Sequence, residues 1–217
     1  MATRLERSAT LLVSDKTNIL IDQLELHGIP FIQKLKERGV RFALIGGLAV
    51  SIRTVERLTK DMDLAIAVSN DAEAEELVMS LSRSGYFVET LIEQDDAKRL
   101  STVRMISKGE VEMFIDLLFA SSGIEAEVVA SAEESEIFLG VSGLVATIPS
   151  LIALKVLSAN PKRRMQDIID LQYLIKKATT AECETARDLM RLITERGFNR
   201  NKDLLKDFDR YIEQFSD

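Results

Sequence analysis

Asp61 and Asp63 stand one residue apart in the segment DMDLAIAV. On a β-strand residues i and i+2 project to the same face, so both carboxylates can aim at one spot. Like charges held that close are costly unless a cation sits between them. Mg²⁺ suits such a pair, being a hard ion bound by one or two carboxylates together with substrate phosphates; Mn²⁺ is the alternative. A third acid, Asp116, lies inside the apolar run MFIDLLF, where an unpartnered carboxylate is expensive. With its strand beside that of Asp61 and Asp63, three carboxylates would converge. Two-metal chemistry then becomes available, one ion activating an attacking oxygen and the other steadying the leaving phosphates. Upstream, Gly46-Gly47 ends the apolar run RFALI. Glycines at a strand-to-helix turn allow close backbone approach, and the amides of the following helix can cradle a phosphate.

The elements that must position these groups follow from periodicity. Apolar spacing predicts two helices, over 19–26 and from Phe31 to Leu35, punctuated by Gly28 and Pro30. A strand over 41–45 follows, then a helix from Leu48 to Arg53, a strand over 61–68, and an acidic helix capped by Ser69-Asn70-Asp71. After Gly85, runs over 86–92, 101–106 and 111–119 read as consecutive antiparallel strands, with Lys108-Gly109 as a turn. Next comes a mixed stretch with one or two short strands near Ile137 and Val145. Pro149 opens a helix, and the remainder is helical with breaks at Asn160-Pro161, Thr179-Thr180 and Gly197. The expected fold class is α/β, or α+β, over 1–147, followed by a helical C-terminal domain over 148–217.

Composition narrows the function classes. Of 217 residues 46% are hydrophobic, enough for a real core, which excludes a disordered chain. Lys plus Arg total 28 against 35 Asp plus Glu, a net charge of −7, which argues against a broad nucleic-acid coat but leaves room for a local basic site. One cysteine, Cys183, excludes an intrachain disulfide and points to a cytoplasmic setting. The N-terminal apolar run is too short for a signal-peptide core, and the stretch from Leu139 to Leu157 is too interrupted for a membrane span. A soluble protein is expected, with no membrane partner.

Gly-Gly at a strand end, a helix, Arg57-x-Thr59-x-Asp61-x-Asp63, and the later strand aspartate Asp116 together resemble the DNA polymerase β-like nucleotidyltransferase superfamily. The segment IPSLIALKVLSANPKRRMQDIIDLQYL is similar to the helical half of the AbiEii/AbiGii toxin-type nucleotidyltransferases; the resemblance spans roughly residues 40 to 176. It implies a nucleotidyltransferase-like mixed sheet flanked by helices, and transfer of an NMP from an NTP to an acceptor hydroxyl. It further implies that Asp61, Asp63 and Asp116 bind metal, with Asp116 as general base. Gly46 and Gly47 would contact the triphosphate, Lys155 would reach the nucleotide, and Asp170 would stand behind it. An RNA acceptor, a tRNA 3′ end above all, is implied, with an antitoxin protein as partner. An aminoglycoside-like small-molecule acceptor, or a catalytically silent binding module, are the alternatives. One departure stands out: family members commonly carry Gly-Ser where this chain has Gly46-Gly47, so a hydroxyl contact to phosphate is missing.

Each residue also has a plainer reading. Asp61 and Asp63 could mark a solvated strand edge, Asp116 could pair with Arg104, and Gly46-Gly47 could be a simple turn. Arg57 and Thr59, counted among the substrate-site residues, more naturally fix their loop, Arg57 by pairing with a carboxylate. Lys155 could snorkel from an amphipathic helix. Lys162, Arg163 and Arg164 read as a solvated helix start or as a phosphate clamp, and Asp167 and Asp170 as partners of nearby Arg or Lys. His27 reads as structural, and Cys183 has no histidine near it in sequence to make it a nucleophile.

Overall fold

The computed structural model describes residues 26–57, 59, 61–94, 99–107, 112–138, 140–160 and 164–215. In chain order its elements are α1 (26–37), β1 (Phe42–Ile45), α2 (Gly46–Arg53), β2 (Asp61–Ile66), α3 (Asp71–Arg83), β3 (Tyr86–Gln94), β4 (Arg99–Ser107) and β5 (Met113–Leu118). There follow α4 (Glu125–Ser131), β6 (Glu133–Phe138), β7 (Val141–Val145), α5 (Ile148–Ser158), α6 (Met165–Lys177), α7 (Thr180–Glu195) and α8 (Leu204–Phe215).

The strands form one mixed sheet in the order β3-β4-β5-β2-β1-β7-β6. β3, β4 and β5 are the antiparallel meander that the sequence predicts, β5 runs parallel to β2, and β1 lies antiparallel to β2 and parallel to β7. Register carries the consequence for the site. Ile45 faces Asp63, Asp63 faces Asp116, Asp116 faces Arg104, and Arg104 faces Thr90, so one row crosses five strands. Residues opposed in register share a face of the sheet.

Alternation explains how Asp116 is tolerated in an apolar run. Met113, Ile115 and Leu117 are buried in the core, while Phe114, Asp116 and Leu118 are half-buried on the other face. β2 alternates likewise, with Met62 and Leu64 inside and Asp61 and Asp63 outside. The core face is covered by α1, whose Phe31, Ile32 and Leu35 are fully buried and whose Phe31 meets Tyr86 edge-on at 4.8 Å. α5 packs on α6 and α7 and touches the sheet side through α2, and buried residues from α1 to α8 form one continuous cluster.

Three expectations need correction. Gly28 and Pro30 do not separate two helices: α1 runs through both, and the expected helix over 19–26 lies almost wholly outside the described residues. Gly28 is needed there for contact, because a Cβ would stand 2.8 Å from the Phe138 ring; Pro30, five residues into the described helix, removes only the bond toward residue 26. α2 begins at Gly46 itself and not at Leu48. The mixed stretch holds α4 as well as a β6–β7 hairpin. α4 is only seven residues long and carries too little periodicity to be read, and it packs against β1 and β2. The Lys108-Gly109 turn lies outside the described residues. Pro149 sits in the first turn of α5, and Thr179 opens α7 with a capping box to Glu182. No described helix is long and apolar enough to cross a membrane.

Leu64 is fully buried on the strand that carries the aspartates. Leu64→Ala is expected to destabilise the protein by about 2–5 kcal/mol, read as a lower denaturant midpoint with an unchanged slope.

Candidate functional site

The site is built on the half-buried face of the five-strand row. A Cβ on Gly46 would run into the Asp63 carboxylate and stand 2.7 Å from Asp63 Cβ, and Gly46 has a φ of +65°, so the turn requires glycine on both counts. The Gly47 amide donates to the Asp63 carboxylate. Burial, then the negative charge of Asp116, push the Asp63 carboxyl up to about 6; Asp61 adds to the rise, while Lys155 and the Gly47 amide oppose it. Asp63 is thus a carboxyl short of positive charge.

Asp116 is held differently. Arg104 Nε donates to Asp116 Oδ1 at 2.7 Å and Nη2 to Oδ2 at 2.6 Å, a bidentate pair, and Nη2 lies 3.8 Å from Asp61 Oδ2. The guanidinium also rests 5.3 Å over the Phe114 ring. Hydrogen bonding to Asp116 outweighs the burial that opposes it and holds the Arg104 guanidinium above its ordinary value. Register brings Asp63 and Asp116 side by side, and the plainer reading of Asp116, a pair with Arg104, also describes it. Among the described residues no three His, Cys, Asp or Glu side chains form a ready-made metal cage.

A second cluster ties the helical half to the β2 approach. Lys155 Nζ lies 2.7 Å from both Asp167 Oδ1 and Asp170 Oδ2. Asp170, fully buried, is also gripped by Arg57 through two contacts of 2.9 Å and receives Gln166 Nε2 at 3.1 Å. Ser158 Oγ donates to Asp167 at 3.0 Å. Burial alone would raise Asp170, but the hydrogen bond and charge of Lys155, with Gln166 and Arg57, hold its carboxyl below the ordinary 3.8. The Arg57 guanidinium packs directly against Gly47, where a Cβ would meet it and come within 3.0 Å of Thr59 Oγ1. Thr59 Oγ1 donates to the Asp61 carbonyl at 3.3 Å, and the Arg57 amide donates to Ser51 Oγ at 3.2 Å. Arg57 and Thr59 thus hold the loop, as the plainer reading has it, and Lys155 points at carboxylates and not out to solvent.

Between the sheet face and the helical half lies a cleft of about 1120 Å³, lined by the Gly46-Gly47 turn, the three aspartates and Lys155. Sequence reading did not find several of its lining residues: Thr90 and Ile92 on β3, and Met165, Phe198 and Arg200 opposite. Arg200 was findable only as a basic residue in the turn-rich segment after Gly197. Its backbone is left-handed at φ 54°, and its Nη2 donates to the Ser121 carbonyl at 3.1 Å. Burial and the neighbouring charge of Arg164 lower its hold on its proton. Arg164 also lines the cleft; Lys162 and Arg163 lie outside the described residues. Glu125 fixes the loop that Arg200 touches, accepting from the amides of Ser121 and Ser122 at 2.8 and 2.7 Å. His27 is bonded to Ser107 at 2.7 Å, burial pushes the Cys183 thiol up, and neither residue lines the cleft.

A mixed sheet of this order, with a glycine turn above paired strand aspartates, defines a nucleotidyltransferase-like fold. The solution structure of the antibiotic-resistance factor ANT(2'')-Ia matches with a TM-score of 0.53 at 18% identity, covering 84% of this chain and 94% of that one. An antigenic nucleotidyltransferase-like protein from Paracoccidioides brasiliensis matches with a TM-score of 0.48 at 16% identity, covering 88% and 92%. Lincomycin-bound LnuA, a lincosamide antibiotic adenylyltransferase, gives 0.44 at 12%, covering 69% and 95%. No curated protein sequence matches significantly. The model of the nucleotidyl transferase AbiEii toxin family, of type IV toxin–antitoxin systems, matches residues 34–215, and the chain belongs to that family. It is a nucleotidyltransferase.

Two outcomes follow from the packing. Gly46→Ala is expected to cost about 1–3 kcal/mol through left-handed strain and displacement of Asp63, measured by thermal unfolding. Lys155→Met removes one partner of a buried carboxylate and is expected to cost about 3 kcal/mol at neutral pH. Because the folded value of Asp170 is depressed, this difference is full above 3.8 and closes as pH falls below it. Denaturant unfolding of both proteins at pH 7 and pH 3 checks it.

Proposed function

We propose that the chain transfers an NMP from an NTP to the hydroxyl of an RNA 3′ end, using a divalent cation held by Asp61, Asp63 and Asp116. One observation carries this reading: Asp63 and Asp116 are direct register partners beneath the Gly46-Gly47 turn, with Asp61 on the same face. The donor set fits Mg²⁺, or Mn²⁺, because every group is a hard carboxylate oxygen and the Asp63 carboxyl is raised by burial and then by the negative charges of Asp116 and Asp61. When bound, the cation would supply charge neutralisation at the triphosphate and activation of the attacking oxygen. Gly46 and Gly47 present backbone to the phosphates, and Asp116 is placed to take the acceptor's proton once Arg104 releases it. Lys155 adds positive charge to the cleft while, with Asp170, it anchors Arg57 and hence the turn. Positioning and electrostatics of this kind are most of what nucleotidyl transfer requires.

Arg164 and Arg200 in the cleft wall support a phosphate-bearing acceptor, since they would repel a polycationic aminoglycoside. In this reading the part to residue 147 holds the chemistry, the helical part from 148 closes over the acceptor, and an antitoxin protein restrains the enzyme in the cytoplasm. Labelled-nucleotide transfer with Mg²⁺, each of the four NTPs, and either tRNA or an aminoglycoside tests the proposal. Label is expected on RNA, falling by at least about a hundredfold in Asp61→Ala and in Asp63→Ala. Full activity in the double variant overturns the metal assignment, label on the aminoglycoside alone overturns the acceptor, and no transfer or NTP binding at all favours a silent binding module.

A further inference from the structure

Arg104 fills the place at Asp116 that the proposed cation needs. It stands opposite Asp116 in register, uses both oxygens of that carboxylate, and reaches to 3.8 Å from Asp61. A guanidinium does not deprotonate in a protein, so only its departure frees Asp116. The side chain is 37% exposed against 13% for Asp116, which leaves it a path into the cleft that it lines.

Resting on the metal-site reading above, we propose that Arg104 is a tethered counter-ion: it neutralises Asp116 in the metal-free protein, and a divalent cation gains that carboxylate only by displacing it. Two consequences distinguish this from a strut between β4 and β5. The cation alone binds more weakly than three carboxylates would allow, because it must break a bidentate pair and approach a fixed positive charge. Nucleotide and cation bind cooperatively, because the triphosphate gives the displaced guanidinium a new anionic partner, and such coupling is reciprocal. Arg104 is on this view a positioning residue that sets when the metal site assembles.

Mn²⁺ binding to the full chain, followed by electron paramagnetic resonance with and without a non-hydrolysable NTP analogue, tests this without reference to activity. Arg104→Gln is expected to bind Mn²⁺ at least about tenfold more tightly than the parent in the absence of nucleotide, and to lose most of the tightening that the analogue causes in the parent. Arg104→Lys keeps the charge without the fork and is expected to fall between the two, which serves should Arg104→Gln not give the parent's circular dichroism. Unchanged or weaker Mn²⁺ binding in a folded variant overturns the counter-ion role while leaving the metal site standing. Mn²⁺ binding that survives Asp61→Ala and Asp63→Ala overturns the metal reading itself, and the inference with it.

Discussion

Asp61, Asp63 and Asp116 are held on one face of a sheet where the Arg104 guanidinium meets two of them, Asp116 and Asp61, and the repulsion that both exert on Asp63 is the constraint around which the rest is arranged. Each carboxylate is eased differently. Asp116 has a bidentate arginine, Asp61 has the edge of the same guanidinium, and Asp63 has one backbone amide and the more distant Lys155. Asp63 is the least compensated, and it is the carboxyl whose ionisation the protein resists. Under the proposed metal reading, that deficit is what a bound cation would offset.

The second cluster is compensated almost completely. Arg57 and Lys155, with Arg164 at 3.8 Å, meet the carboxylates of Asp167 and Asp170, and Gln166 and Ser158 supply further hydrogen bonds. Its members come from α5, α6 and the loop before β2, so it fixes the helical half against the turn that borders the triaspartate face. The two clusters differ in balance: in one the charges cancel, and in the other they do not. Lys155 belongs to the first and is felt by the second through its charge on Asp63.

Local spacing made much of this legible. Asp61 and Asp63 at i and i+2, the glycine pair after an apolar run, and Pro149 before an apolar stretch each encode their geometry within a few residues. The meander after Gly85 was equally plain, because short alternating runs between turns admit few arrangements. Register was not legible. Nothing near Asp116 in the chain says that it faces Asp63 on one side and Arg104 on the other, since parallel pairing of β2 with β5 is decided by the whole sheet. Arg200 and Phe198 reach the cleft through the return of the chain between α7 and α8, which no periodicity reports. Gly28 and Pro30 stand inside a helix for different reasons: Gly28 lies in close contact with Phe138, and Pro30 falls near the start of the described helix, where it removes a single backbone bond.

The Gly47 contact limits which residues its position can carry. A side chain at position 47 would meet the Arg57 guanidinium, which lies against the backbone there and is anchored to Asp170. A hydroxyl at that position and an arginine in this pose exclude one another. Serine at position 47 would therefore require the guanidinium to leave that seat, and with it the tie through Asp170 that couples the glycine turn to the helical half.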